Sequence, residues 1–314
     1  MRNKLLSLSI LFFLSVIILK SFAQGPKLKF FDSSPTYDQQ RMKIIGVTAG
    51  TMYVASMAGL YELWYKNYPQ SKFHLFDDNG EWMQMDKGGH CVVAYYLGSL
   101  GIDVLNWAGV KKNKATWYGG MVGAAYNTTF ECLDGLSSEY GFSIGDMTAN
   151  FAGAFICIGE QLAWGQQRIQ LKFSYHHSPE ADLRPDLLGN DFPSNAIKDY
   201  NGLSDWVSVN VYDFMAQSSA RNSVVPRWLN VAFGYGADGM LGARMNPVSY
   251  NGNDLPNLDR HRQYYFSLDV DLSQINTKSK AVNTVFDLLN LMKVMFPSLE
   301  YNRVTKFLFH PLYF

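Results

Sequence analysis

Hydrophobic residues in this chain repeat with one period up to about residue 166 and with another beyond it, which restricts the fold more than any other feature. Before that point, four long segments are apolar and rich in Gly, Ala and aromatics: Ile44 to Tyr61, His90 to Val110, Ala115 to Leu133, and Asp146 to Gln166. Small residues at helical spacing, such as Gly119, Gly123 and Ala124, let helices approach closely. Four such segments predict a helical bundle over residues 25–166. Beyond it, Gln170-Leu-Lys-Phe-Ser-Tyr, Asp205-Trp-Val-Ser-Val-Asn-Val-Tyr, Trp228-Leu-Asn-Val-Ala-Phe-Gly-Tyr and Gln263-Tyr-Tyr-Phe-Ser-Leu-Asp-Val-Asp-Leu alternate polar with apolar residues. Such alternation predicts half-buried strands. Residues 182–201 and 240–259 read as long polar loops, 283–295 as an amphipathic helix, and 303–314 as a closing strand. The expected fold class is α+β: a four-helix bundle followed by an antiparallel β-rich region, residues 167–314, with one late helix.

The first two dozen residues stand apart from this pattern. Arg2 and Lys4 precede an apolar run from Leu5 to Leu19, and Ser21-Phe22-Ala23-Gln24 places small residues near a cut. This is the layout of a cleaved secretory signal peptide, residues 1–24, and it assigns the mature chain to a bacterial cell envelope. Three of the 27 basic residues (Arg2, Lys4, Lys20) and none of the 27 acidic ones lie in it, so the mature chain is slightly acidic. With no basic stripe, nucleic acid is excluded as a partner; cell-envelope components or a membrane surface are the expected partners. The first cysteine is Cys91, so no lipid-modified N-terminus is expected. Cys91, Cys132 and Cys157 are an odd set in apolar stretches and read as buried thiols without a disulfide framework.

The four helical segments are long enough to cross a membrane, but two features favour a bundle exported whole. Asp103, Asn106 and Glu160 lie well inside them and are costly in lipid. The loop Lys111-Lys112-Asn113-Lys114 would also fall outside the cytoplasm if Ile44–Tyr61 were the first span, against the usual charge bias. The chain ends Phe307, Phe309, Tyr313, Phe314 at largely alternating spacing, an ending similar to that of outer-membrane barrel strands. The few strands legible here fall short of the eight of the smallest such barrels.

The polar residues that carry chemistry cluster at the helix ends. Met85-Asp86-Lys87-Gly88-Gly89-His90 opens the second segment, Glu131-Cys-Leu-Asp134-Gly135 closes the third, and Ser143-Ile-Gly-Asp146-Met-Thr-Ala-Asn150 opens the fourth. Asp86 and His90, and likewise Asp146 and Asn150, are four apart, while Glu131 and Asp134 are three apart, so each pair shares one helix face. If the three ends meet, carboxylates with an imidazole can hold a divalent metal and activate its water. Without metal, His90 can act as a general base, and Lys87 can hold a phosphate or carboxylate as a point charge. A structural account covers the same residues: Ser143 with Asp146 fits a capping box, Asp86 suits a helix start, and Glu131 can pair with Lys87.

Taken with Phe73-His74-Leu75-Phe76-Asp77-Asp78-Asn79-Gly80-Glu81-Trp82 and with Asp199-Tyr200-Asn201-Gly202 and Trp206, these runs resemble the YfiM-like family of predicted periplasmic (lipo)proteins, domain of unknown function 2279. The pattern D-K-x-x-H, an acidic residue, then S-x-x-D-x-x-x-N-x-x-G is also similar to VanZ-like proteins, four-helix membrane proteins linked to glycopeptide tolerance. That resemblance implies a shared polar core of Asp86, Lys87, His90, Glu131, Asp146 and Asn150. The chain departs from the first family in having no lipid-attachment cysteine and from the second in adding a β-rich half.

The sequence leaves two functional classes open, an envelope protein with a structural or binding role, which is preferred, and a hydrolase or transferase acting on a lipid or cell-wall precursor. The preference rests on the lack of a visible nucleophile, phosphate loop or complete metal motif; cofactor and metal stay undetermined. Asn127-Thr-Thr matches a glycosylation acceptor by chance, and His176-His177 reads as an exposed turn at a strand end.

Overall fold

The computed structural model describes residues 32–66, 68–215 and 224–313; the expected signal peptide and the terminal Phe314 lie outside them. Helix α1, Gln39–Leu60, begins where the Asp38 carboxylate accepts the amide hydrogens of Gln40 and Arg41. The helix is pinned at its two ends. Arg41 donates to the carbonyls of Asp32 and Trp107 and lies 4.7 Å over the Trp107 ring. Beyond a π-turn at Tyr61–Tyr65, the Tyr65 hydroxyl donates to Asp134 at 2.6 Å. Between these anchors the apolar stretch is unburied, and the helix is long and apolar enough to cross a membrane by length and composition.

Helices α2 (Met85–Trp107), α3 (Lys112–Gly120), α4 (Val122–Asp134) and α5 (Ile144–Trp164) pack together instead. The four-helix bundle expected from the sequence is therefore corrected on two counts. The first predicted helix stands largely outside the cluster, and the third is two helices that meet at Met121. Backbones approach closely where Gly101 faces Gly119: a Cβ on Gly101 would lie 2.4 Å from the Gly119 carbonyl oxygen. Helix α5 starts at the Ser143 cap and ends at Gly165, whose φ of 71° glycine adopts freely. One turn earlier, the Glu160 carboxylate accepts the amides of Arg168 and Ile169, tying the helix to the first strand.

Strands β1 (Ile169–Tyr175), β2 (Leu203–Asn210) and β3 (Leu229–Asp238) are followed by a small hairpin, β4 (Ser249–Tyr250) and β5 (Asn253–Asp254). Then come β6 (His261–Val270), β7 (Phe296–Asn302) and β8 (Lys306–Tyr313). The six longer strands form one antiparallel sheet in the order β1-β2-β3-β6-β7-β8. Strand β7 was not legible in the sequence. The expected polar loop at 182–201 holds three short helices, α6 (Pro179–Leu183), α7 (Pro185–Leu188) and α8 (Phe192–Lys198). The late helix, α9, is Lys280–Leu289.

The sheet buries its polar face. Ser208 and Asn210 of β2, Asn230 of β3, Asp269 of β6, and Ser298 and Glu300 of β7 are buried. Their neighbours Val207, Phe233, Phe266, Leu268, Leu299 and Tyr301 are exposed. The interior is held by an ion pair between Lys172 and Asp269 at 2.8 Å, both side chains fully buried. Lys172 also donates to the Val270 carbonyl and to Asn290, while Asp269 accepts from Ser208 and from the Val294 amide. The sheet curls around this face. Tyr313 of the last strand donates to Tyr265 at 2.7 Å and lies 6.1 Å from the Trp206 ring of the second strand. The outer edge of β1 bonds to the segment before β7 through Phe173 with Leu291 and Lys293.

Candidate functional site at converging helix ends

Helix α2 is entered through three consecutive non-glycine residues in the left-handed region, Trp82, Met83 and Gln84, with φ of 45°, 52° and 69°. Each such residue costs on the order of 1 kcal/mol and persists only where its surroundings over-determine it. Here they do. The Trp82 amide donates to the Ala243 carbonyl, Tyr235 donates to the Met83 carbonyl, and Arg262 donates to the Gln84 side chain. The sheet and its loops thus set the direction in which α2 presents Asp86, Lys87 and His90.

Lys87 fills a carboxylate cage. Its ammonium lies 2.6 Å from Asp78, 3.0 Å from Asp86 and 2.9 Å from Asp146. Through these ion pairs Lys87 cross-links the segment before α2 to the start of α5. It does not pair with Glu131. Ser143 completes the corner, donating to Asp78 at 2.6 Å while it accepts the Asp146 amide. Burial works to raise the Asp78 carboxyl, but hydrogen bonds involving Asp146, Lys87 and Ser143 hold it below the usual carboxylate range. Burial pushes Asp86 up.

His90, one turn along α2, faces a second group. Its Nδ1 lies 3.0 Å from Asn150 Oδ1, which also accepts from the Asn127 side-chain amide at 2.7 Å. An oxygen so placed only accepts, so Nδ1 carries the proton and Nε2 keeps its lone pair in the neutral ring. Nε2 points at Glu131 Oε1, 3.7 Å away, and at Asp146 Oδ2, 4.0 Å away. Glu131 is buried and accepts the Ser143 amide through Oε2; its Oε1 has no hydrogen-bond donor. Burial first, and then the neighbouring Asp146, push the Glu131 carboxyl up to about 8; burial carries Asp146 to about 6.

Six of the residues singled out in the sequence therefore meet: Asp86, Lys87, His90, Glu131, Asp146 and Asn150. Asp134 does not join them. It turns toward α1 and accepts from Tyr65, and burial raises its carboxyl to about 6. Sequence reasoning missed Asp78 and Asn127. Asp78 sits in the turn-like run Asp77-Asp78-Asn79-Gly80, which signals a loop and nothing more. Asn127 belongs to a chance glycosylation match in the sequence, yet it is buried and also donates to the His90 carbonyl. Asp205 of β2 was missed as well: its Oδ2 lies where a Cβ on Gly88 would stand, at 1.9 Å.

Outside the site, His177 pairs at the surface with Asp182 of α6, and His176 packs against Tyr313. The three cysteines are free, and only Cys157 is fully buried; Cys132 is exposed, against the expectation that all three are buried.

A family model described as predicted periplasmic lipoprotein (DUF2279) matches residues 74–158. That stretch holds both polar groups just described and stops before β1. No curated protein and no solved structure matches the chain. From His74 to Ile158, then, this chain is similar to predicted periplasmic lipoproteins of unknown function, which is consistent with a place in the cell envelope.

Proposed function

We propose that this chain is an exported envelope protein, its signal peptide removed, that seats in the outer membrane and serves there as a structural or binding component. The observation that carries this reading is the inverted sheet. In water, an antiparallel sheet turns its apolar face to the core and its polar face to solvent. Here the polar face is inside, and six large side chains, Val207, Phe233, Phe266, Leu268, Leu299 and Tyr301, face out. Leaving six such groups in water forfeits on the order of 10 kcal/mol of burial energy, which hydrocarbon would restore.

Other surfaces support the same seat. The apolar stretch of α1 is unburied. Helix α9 exposes Val282, Val285, Leu288 and Leu289 along one side, the layout of a helix lying in a membrane interface. Strands β3 and β6 run 10 residues each, about the length that a tilted strand needs to cross a bilayer. With six strands against the eight of the smallest barrels, the sheet is read as embedded by its outer face and not as a closed pore. The YfiM-like and VanZ-like kinship belongs to this reading, with the polar core lying in a protein held at a membrane.

Flotation with phospholipid vesicles tests it. Wild type is expected to rise with the vesicles, and the variant Phe233→Asp/Phe266→Asp, which breaks a ring pair 5.4 Å apart on the outer face, to stay below. Wild type that remains monomeric in buffer without detergent and does not float would overturn the membrane seat.

A further inference from the structure

We propose that His90, Glu131 and Asp146 form a binding site for one zinc ion where α2, α4 and α5 converge. The site is separate from the sheet surface, and the inference does not depend on the membrane seat.

Three lines of geometry support it. First, one nitrogen and two carboxylate oxygens from these residues lie within 4.8 Å of one another. A tetrahedral zinc ion with bonds of about 2.0–2.1 Å holds its ligands about 3.3–3.4 Å apart. The measured separations from His90 Nε2 are 3.7 Å to Glu131 and 4.0 Å to Asp146, so small side-chain rotations close the site. Adjacent ligands of an octahedral magnesium ion would have to approach to about 2.9 Å. Magnesium and calcium also prefer all-oxygen shells, whereas imidazole suits zinc.

Second, the ligand nitrogen is prepared from behind. Asn150 Oδ1 accepts the hydrogen bond from Nδ1–H and is itself fixed by Asn127. This is the outer-shell arrangement by which proteins hold a metal-bound histidine in one tautomer and orientation. An ordinary core histidine bonded at both nitrogens would have no lone pair left over.

Third, Glu131 is only 1% exposed, and its Oε1 is aimed at His90 without a hydrogen-bond donor. A buried acceptor left in that condition costs about 1–3 kcal/mol, a cost that a bound cation removes. The Asp78 and Asp86 carboxylates are already engaged by the Lys87 ammonium, which meets Asp146 through Oδ1 and leaves Oδ2 facing His90. Three protein ligands leave the fourth zinc position for water or a substrate atom, the pattern of catalytic rather than structural sites. The His90 side chain is 24% exposed, which gives that position a route to solvent.

The test is titration of the full metal-stripped chain with zinc chloride by calorimetry, with cobalt chloride as a spectroscopic probe of four-coordination. Wild type is expected to bind one zinc ion per chain and to give the visible absorption of four-coordinate cobalt. His90→Ala should abolish both signals. Glu131→Gln keeps the shape and the Ser143 contact, and should weaken zinc binding at least tenfold without lowering the melting temperature of the metal-free chain. If His90→Ala fails to fold, Glu131→Gln decides alone. Zinc affinity unchanged in Glu131→Gln, or a cobalt spectrum of purely octahedral type, would overturn the proposal.

Discussion

Replacing Lys172 by Met tests the claim that the sheet buries its polar face. The Lys172 ammonium makes three contacts at 2.8–2.9 Å, with Asp269, the Val270 carbonyl and Asn290. Met keeps the length of the side chain and removes all three, leaving the Asp269 charge buried with only Ser208 and the Val294 amide as donors. Removing one partner of a buried ion pair costs about 3–5 kcal/mol where the other charge stays behind uncompensated; buried Lys293, on which the Asp269 charge also acts, puts the loss at the lower end. Asp269→Asn strands the lysine instead and should cost a similar amount. The double variant removes both charges, so its loss should fall at least about 2 kcal/mol short of the sum of the single losses. Urea unfolding in mild detergent, followed by tryptophan fluorescence, measures all three. Single losses below about 1 kcal/mol, or losses that add within about 0.5 kcal/mol, would mean that the pair is not enclosed. The inverted sheet, and the membrane seat argued from it, would then fall.

Gly101→Ala should cost about 1–3 kcal/mol by overpacking, since its Cβ would press on the Gly119 carbonyl oxygen at 2.4 Å; the same urea titration reads it. Maleimide labelling of the native protein, located by mass spectrometry, should modify exposed Cys132 well before buried Cys157, whose thiol burial pushes up to about 12. Modification of Cys157 first would show that α5 does not pack as described.

Much of the local structure is legible in the sequence. Alternation located β1, β2, β3 and β6, and Ser143 marked the start of α5, because strand and cap signals are carried by near neighbours in the chain. Strand β7 was hidden. Its run Phe296-Pro-Ser-Leu-Glu-Tyr-Asn also alternates, but Pro297 and the preceding helix pattern mask it, and its pairing with β6 and β8 is a long-range matter. The division of the third apolar segment at Met121 was likewise hidden, since Gly119, Gly123 and Ala124 read equally well as one continuous helix-packing surface.

Helical spacing determined that Asp86 shares a face with His90, and Asp146 with Asn150. Spacing along one helix cannot say toward which neighbour that face turns. Glu131 and Asp134, three residues apart, point to different partners, one toward the start of α5 and the other to Tyr65. Asp78, Asn127 and Asp205 enter from segments that no local pattern connects to the helix ends. The same limit governs the sheet. The sequence by itself determined which residues of each strand share a side. Which side is buried was decided by the tertiary structure, because the ion pair of Lys172 with Asp269 and the ring cluster of Trp206, Tyr265 and Tyr313 form only once distant strands curl together.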